Sequence, residues 1–234
     1  MTDPAALRAR LDSVRERIAR AAGRAGRDPA SVRLVAISKT FPADDVRAAA
    51  LAGQVHFGEN KVQEALQKMS ETSDLSLNWH LVGHLQSNKA RKAASAFDVV
   101  HSVDHAALVA KLDEAAATSG RRLELLVQVD LAGEATKHGA RPEDLAPILE
   151  AARQCRSVRI KGLMVLPPAS ADAEQARPFF AALRCVRDEL VARGADASML
   201  SELSMGMSGD FEVAIEEGAT IVRVGSAIFG RRGL

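Results

Sequence analysis

The sequence predicts an α/β chain whose strands close into a (β/α)₈ barrel, and three observations carry that prediction. Short apolar runs alternate with helix-forming stretches along the chain. In the first run, Val32-Arg33-Leu34-Val35-Ala36-Ile37, four apolar residues follow one another without polar relief, which suits a strand covered on both faces, as in a parallel sheet. No GxGxxG follows an early strand, which weakens the alternative of an open, doubly wound dinucleotide-binding sheet.

Taken in order, residues 4–22 place Leu7, Leu11, Val14 and Ile18 at steps of three and four among arginines and glutamates, predicting an amphipathic helix with Pro4 in its first turn and Gly23 as its stop. The loop Gly26-Arg27-Asp28-Pro29 leads into the first strand. Further strands are predicted at Val55-His56-Phe57, Trp79-His80-Leu81-Val82, Phe97-Asp98-Val99-Val100, Leu123 to Val129, Ile160 to Val165, Ser201 to Ser204 and Ile221 to Val224, eight with the first. Helical spacing falls between them, at 62–69, 106–117, 145–152, 179–192 and 211–217 among others. Strict βα alternation implies a parallel sheet with right-handed crossovers. Eight such units in 234 residues point to the barrel, with the amino-terminal helix as an addition. No linker, low-complexity tract or close internal repeat interrupts them, so residues 1–234 read as one domain.

The composition narrows the function. Lysine plus arginine (31) nearly balance aspartate plus glutamate (30), and there is no basic stripe of the kind that nucleic acid or an anionic membrane attracts. Cys155 and Cys185 sit in helix-like stretches without metal-ligand or CxxC spacing and read as structural thiols of a reducing compartment. No apolar run reaches the length of a membrane span and no signal-peptide core opens the chain, so a cytoplasmic protein is expected. The chain contains no tyrosine, which closes any mechanism needing a phenolic acid or base.

In a barrel, the residues just after each strand converge on one mouth. The first strand delivers Ser38-Lys39-Thr40 there; Lys39 reads either as a solvated lysine at a loop edge or as a desolvated amine able to attack a carbonyl. The following strands deliver Gly58-Glu59-Asn60, Gly83-His84, His101-Ser102-Val103-Asp104 and Gln128-Val129-Asp130. After the seventh and eighth come Ser204-Met205-Gly206-Met207-Ser208-Gly209-Asp210 and Arg223-Val224-Gly225-Ser226. Barrels often hold phosphate at these last two loops, where glycines admit backbone N–H groups and serines add hydroxyls. Ser204, Gly206, Gly225 and Ser226 have that chemistry, and they also suit tight βα turns with helix-capping serines. A phosphate site combined with a lysine suggests a phosphorylated aldehyde held as a Schiff base, with pyridoxal phosphate the obvious candidate.

At this point a resemblance enters. Ile37-Ser38-Lys39-Thr40, Phe57 to Glu64, Trp79 to Lys89, Leu203 to Ser208 and Val222 to Gly230 together resemble the pyridoxal phosphate homeostasis proteins, the YggS/PROSC family, in the right order over nearly the whole chain. The resemblance implies the barrel of the alanine racemase N-terminal type (PLP fold type III) and Lys39 as the residue forming the internal aldimine. It places Asn60 near the cofactor's ring oxygen, Ser204, Gly206, Gly225 and Ser226 at the phosphate, and Arg223 facing the pyridine nitrogen. Gly209 stands where the family usually has an acidic residue, and Asp130-Leu131-Ala132-Gly133-Glu134 is a looser version of its usual sequence.

Arginine only donates hydrogen bonds, so a ring nitrogen opposite Arg223 must accept and stay unprotonated, a poor electron sink. Racemisation needs a second acid/base on the opposite ring face. Racemases of this fold use a tyrosine there; His84, His101 or a cysteine would have to substitute. The expected function is therefore a carrier or buffer of intracellular pyridoxal phosphate (vitamin B6 homeostasis), with no catalytic residues assigned. The alternatives are an amino-acid racemase-like enzyme and, more distantly, a Schiff-base aldolase. Partners are pyridoxal phosphate and the enzymes that require it. The basic turn Lys89-Ala90-Arg91-Lys92, with Lys137, reads as a solvated face, a dock for such enzymes or a second phosphate site. A monomer fits the lack of the second domain with which racemases close their sites.

Overall fold

The computed structural model describes residues 3–133 and 138–230. Lys137 and Glu134 therefore lie outside the described residues. The elements run α1 (Pro4–Arg24), β1 (Arg33–Ile37), α2 (Ala43–Leu51), β2 (His56–Glu59), α3 (Val62–Glu71), β3 (Asn78–Leu81), α4 (Ala90–Ala94) and β4 (Val99–Val103). Then follow α5 (Ala106–Thr118), β5 (Leu123–Gln128), α6 (Leu145–Arg153), β6 (Val158–Met164), α7 (Arg177–Ala192), β7 (Glu202–Ser204), α8 (Phe211–Glu216), β8 (Ile221–Val224) and α9 (Ser226–Phe229). All neighbouring strands pair in parallel, and β1 pairs with β8 (Val35 opposite Arg223) to close an eight-stranded barrel in sequence order.

Every predicted strand is present. The fourth differs in extent: it spans Val99–Val103, so His101 and Ser102 lie within it rather than in the loop beyond. Likewise Glu59 ends β2 instead of following it. Cys155 falls just past the end of α6, and Cys185 lies on α7, exposed.

The amino-terminal helix has a structural task that its composition explains. Among the described residues β8 is followed by the single turn α9, too short to cover the seam between β8 and β1. α1 packs there, against α2, α8 and α9. Asp3 caps it by accepting from the Ala5 N–H, Pro4 starts it, and Leu7, Leu11, Val14 and Ile18 are buried beneath it. Each of those side chains contributes about 1.5–3 kcal/mol of burial relative to an exposed one. The arginines of its outer faces staple it in place. Arg17 pairs with Glu212 at 2.8 Å, and Arg10 and Arg15 donate to the carbonyls of Ile228 (2.7 Å) and Ala52 (2.9 Å).

Inside the barrel the filling is divided. Val35, Ile37, Leu126, Met164 and Ile221 form an apolar cluster of their own, separate from the large core between strands and helices. Strand alternation turns Arg223, two residues after Ile221, to the same interior face. The rest of the interior is polar: His80, His101 and Ser204 are fully buried and Arg223 is 3% exposed. Among the described residues no helix is long and apolar enough to cross a membrane.

Candidate functional site

At the carboxyl end of the strands lies a cavity of about 710 Å³ whose wall includes Lys39, Asn60, Ser208, Arg223, Gly225 and Ser226. Five of the seven predicted site residues thus share one space. Ser204 and Gly206 do not line it. Ser204 is wholly buried behind Arg223, whose Nη1 donates to its Oγ at 2.6 Å, while the same oxygen meets His101 Nδ1 at 2.9 Å. Its hydroxyl is committed to the barrel interior. Gly206 shapes the β7–α8 loop: its φ is +90°, and a Cβ there would lie 2.6 Å from that of Ala214. Its carbonyl accepts the Arg223 N–H at 2.9 Å. The serine that does face the cavity from this loop is Ser208, on whose Oγ the N–H groups of Gly225 and Ala227 converge at 3.1 and 3.3 Å.

Lys39 is half-buried two residues past the end of β1, and its turn is strained. Thr40 has φ +69°, a conformation that costs a β-branched residue about 1–3 kcal/mol. The strain is held by a buried polar knot outside the barrel wall. Lys68 Nζ donates to Ser38 O (2.7 Å), Glu59 Oε1 (2.7 Å) and Glu64 Oε1 (2.8 Å). Ser38 Oγ donates to Glu59 Oε1 at 2.7 Å, and the Thr40 N–H donates to Glu64. Burial pushes Glu59 above the usual carboxylate range, with Lys68 and Ser38 opposing; the hydrogen bonds from Lys68 and Thr40 hold Glu64 below it against partial desolvation. The knot was not legible in sequence; the only signal is the Glu64–Lys68 spacing of four on α3.

Two glycines set the other walls. A Cβ at Gly83 would fall 2.2 Å from the Asn60 carbonyl oxygen, so only glycine lets β3 deliver its loop against Asn60. A Cβ at Gly225 would lie 3.2 Å from Ile37 O, at the point where β8 ends beside the lysine turn. Phe41 and Phe229 stack at 5.1 Å across the same edge.

Arg223 anchors the cavity floor. Its Nη2 donates to Val165 O at 2.9 Å, and complete burial pushes its pKa down to about 10, with Asp210 opposing from a distance. Behind it runs a column of rings through the barrel: Ser204 Oγ to His101 Nδ1, His101 Nε2 to His80 Nδ1 at 2.9 Å, and His80 Nε2 to His56 Nδ1 at 3.0 Å. His101 is therefore enclosed in this column rather than at the mouth. His84 lines a side cavity of about 250 Å³ that shares Asn60, Val82 and Leu166 with the main one. Cys155, whose thiol is pushed up by burial, donates to Ala151 O on the barrel's outside. Lys89 and Lys92 line a separate pocket of about 310 Å³ with Lys61 and His84.

An amine, a donor-only guanidinium and converging N–H groups in one cavity fit a ligand carrying a carbonyl, a basic ring nitrogen and a phosphate. The chain matches the family model described as alanine racemase, N-terminal domain, over residues 9–233. Alanine racemase of Clostridium difficile shares the fold with a TM-score of 0.74 at 13% identity, over 97% of this chain and 57% of that one. Architecture and match define the class: a fold type III barrel. Within it, the chain is 47% identical over 223 residues to the pyridoxal phosphate homeostasis protein of Pseudomonas aeruginosa, covering 95% and 94% of the two chains. It is 37% identical over 225 residues to that of Escherichia coli K12, covering 95% of each. PipY of Synechococcus elongatus, solved with pyridoxal phosphate bound, superposes with a TM-score of 0.85 at 45% identity over 96% and 100% of the chains. The chain belongs to the pyridoxal phosphate homeostasis (YggS/PROSC) family.

Proposed function

We propose that this protein binds pyridoxal phosphate through a Schiff base to Lys39 and holds it as a carrier or buffer, without catalytic turnover. The observation that carries the reading is the placement of Lys39 in one cavity with Arg223, a buried guanidinium that can only donate. PipY, 45% identical, was solved with pyridoxal phosphate bound, which supports the same ligand here. Asn60 would flank the ring, Arg223 would donate to its nitrogen, and Gly225, Ser226 and Ser208 would hold the phosphate; Ser204 would act only through Arg223. The group supplies a reactive aldehyde, which the lysine masks reversibly.

Storage rather than turnover is supported by what surrounds the amine. A ring nitrogen facing a donor-only group stays unprotonated and draws electrons weakly. The chain has no tyrosine, and His101 is taken up in the barrel interior. Release to amines of cofactor-requiring enzymes, in the cytoplasm and from a monomer, completes the reading.

The test is the near-visible absorption of the purified protein before and after borohydride, beside Lys39→Ala. A yellow band abolished by borohydride and missing from the variant is expected, as is no solvent deuterium uptake at Cα of amino acids. A protein that stays colourless with added pyridoxal phosphate overturns the binding reading; deuterium exchange with turnover overturns storage.

A further inference from the structure

We propose that His84, Asp104 and His138 form a binding site for one divalent transition ion of the zinc class at the barrel mouth. The three residues follow three consecutive strands, β3, β4 and β5, whose carboxyl ends converge there. One donor atom from each lies within 4.8 Å of the other two. Two imidazoles and one carboxylate form a donor set suited to zinc and its neighbours, whereas magnesium and calcium prefer all-oxygen sites.

The local chemistry favours a cation. Among the described residues Asp104 meets two imidazoles: Oδ2 lies 3.7 Å from His84 Nδ1 and Oδ1 lies 2.6 Å from His105 Nδ1. Among the described residues no lysine or arginine pairs with it. His105 orients the carboxylate from behind, as outer partners of metal ligands do. The His84 and His138 rings stack face to face, centroids 3.5 Å apart and 9° from parallel, an arrangement that two imidazoliums would repel. Neutral imidazole is the form that binds metal.

A tetrahedral site with bonds near 2.0–2.1 Å needs donors about 3.3 Å apart, so the stacked rings must swing inward around the ion. Both rings are exposed. The backbone beneath is fixed: Gln128 donates to His138 O, and Ser102 Oγ donates to Gly83 O at 2.7 Å. Three protein ligands leave a fourth position, and two of them, His84 and His138, line the side cavity that shares Asn60 with the cofactor cavity. A small oxygen- or nitrogen-donor ligand held there by the ion would stand beside whatever Lys39 binds.

The test is titration of the untagged, metal-stripped full chain with Zn²⁺ in competition with a chromogenic chelator, and with Co²⁺ read by its visible ligand-field bands. One ion per chain with micromolar or tighter affinity is expected, unchanged by excess Mg²⁺. His84→Ala, Asp104→Asn and His138→Ala should each weaken binding about 10-fold or more. Thermal midpoints of the variants, and His84→Gln with His138→Gln, separate ligand loss from misfolding. No binding by the wild-type chain, or binding of unchanged strength in the triple variant, overturns the proposal.

Discussion

Lowering the pH from 7.5 to 5.5 destabilises this fold by up to about 3 kcal/mol through two rings in the barrel interior. His80 and His101 are wholly buried and held neutral, well below the ordinary imidazole range. Burial is the main cause; the positive ends of neighbouring groups add to it, His56 and Arg33 for His80, and His80, Arg223 and Arg33 for His101. The unfolded chain protonates both near pH 6.5. Below that pH the native state binds fewer protons than the unfolded one, so the stability is fully present above about 6.5 and is lost as pH falls toward the folded values. For each ring that stays neutral throughout, the loss between pH 7.5 and 5.5 is on the order of 1 kcal/mol. His56, half-buried and also held low, acts in the same direction, while Glu59, held high, acts against it. Carboxylates held low, such as Glu64 and Glu212, respond only at more acid pH. Urea unfolding at the two pH values, followed by the fluorescence of the single tryptophan, Trp79 on β3, measures the difference. His101→Gln, which keeps a polar side chain without a titrating ring, should remove about half of it. Equal stability at both pH values, or the same difference in the variant, refutes the reasoning.

Two further substitutions test the site's walls. Gly83→Ala puts a methyl 2.2 Å from the Asn60 carbonyl, where only backbone can give; it should cost about 1–3 kcal/mol and weaken pyridoxal phosphate uptake with Lys39 intact, as read by cofactor titration beside thermal unfolding. Lys68→Met strands Glu59, whose Oε2 already lacks a partner, as an uncompensated buried carboxylate; a loss of about 3–5 kcal/mol is expected in denaturant unfolding at neutral pH, partly restored by adding Glu59→Gln.

The barrel was legible because each strand is a short apolar run and each helix a stretch of different period, signals carried by neighbours in sequence. The placement of the lysine, Gly225 and Ser226 at one cavity was legible because strand ends in a barrel must converge, while Asn60 and Arg223 were singled out among the strand-end residues by the family resemblance. What escaped depends on register. Ser204 and Ser208 both follow from the same loop motif, and only the depth of β7 decides that one points behind Arg223 while the other faces the cavity. His56, His80 and His101 stand 24 and 21 residues apart, and nothing local says they touch. Adjacent parallel strands bring them into line, His56 beside Asn78 and His80 beside Val99 in the ladder. The buried role of Lys68 was hidden for the opposite reason: its chemistry is that of a surface residue, and only the acceptors around it explain its place.

The column and Arg223 explain each other. A buried guanidinium without a carboxylate in contact is expensive unless its field is answered by oriented dipoles. Arg223 donates to Ser204 Oγ, so the serine's own hydrogen must go to His101 Nδ1; the other assignment leaves the hydroxyl of a fully buried residue without an acceptor. His101 then carries its hydrogen on Nε2 and donates to His80 Nδ1, and His80 in turn donates from Nε2 to His56 Nδ1. One donor-only residue at the cavity floor thereby fixes the tautomer of three rings, and every dipole in the chain turns its negative end toward the cation. Such aligned bonds strengthen one another in a low-dielectric interior. The same alignment requires the rings to stay neutral, since a proton on any of them removes an acceptor and places a second positive charge in the barrel with Arg223. The acid sensitivity of the fold and the charge at the cavity floor are therefore two consequences of one hydrogen-bonded chain.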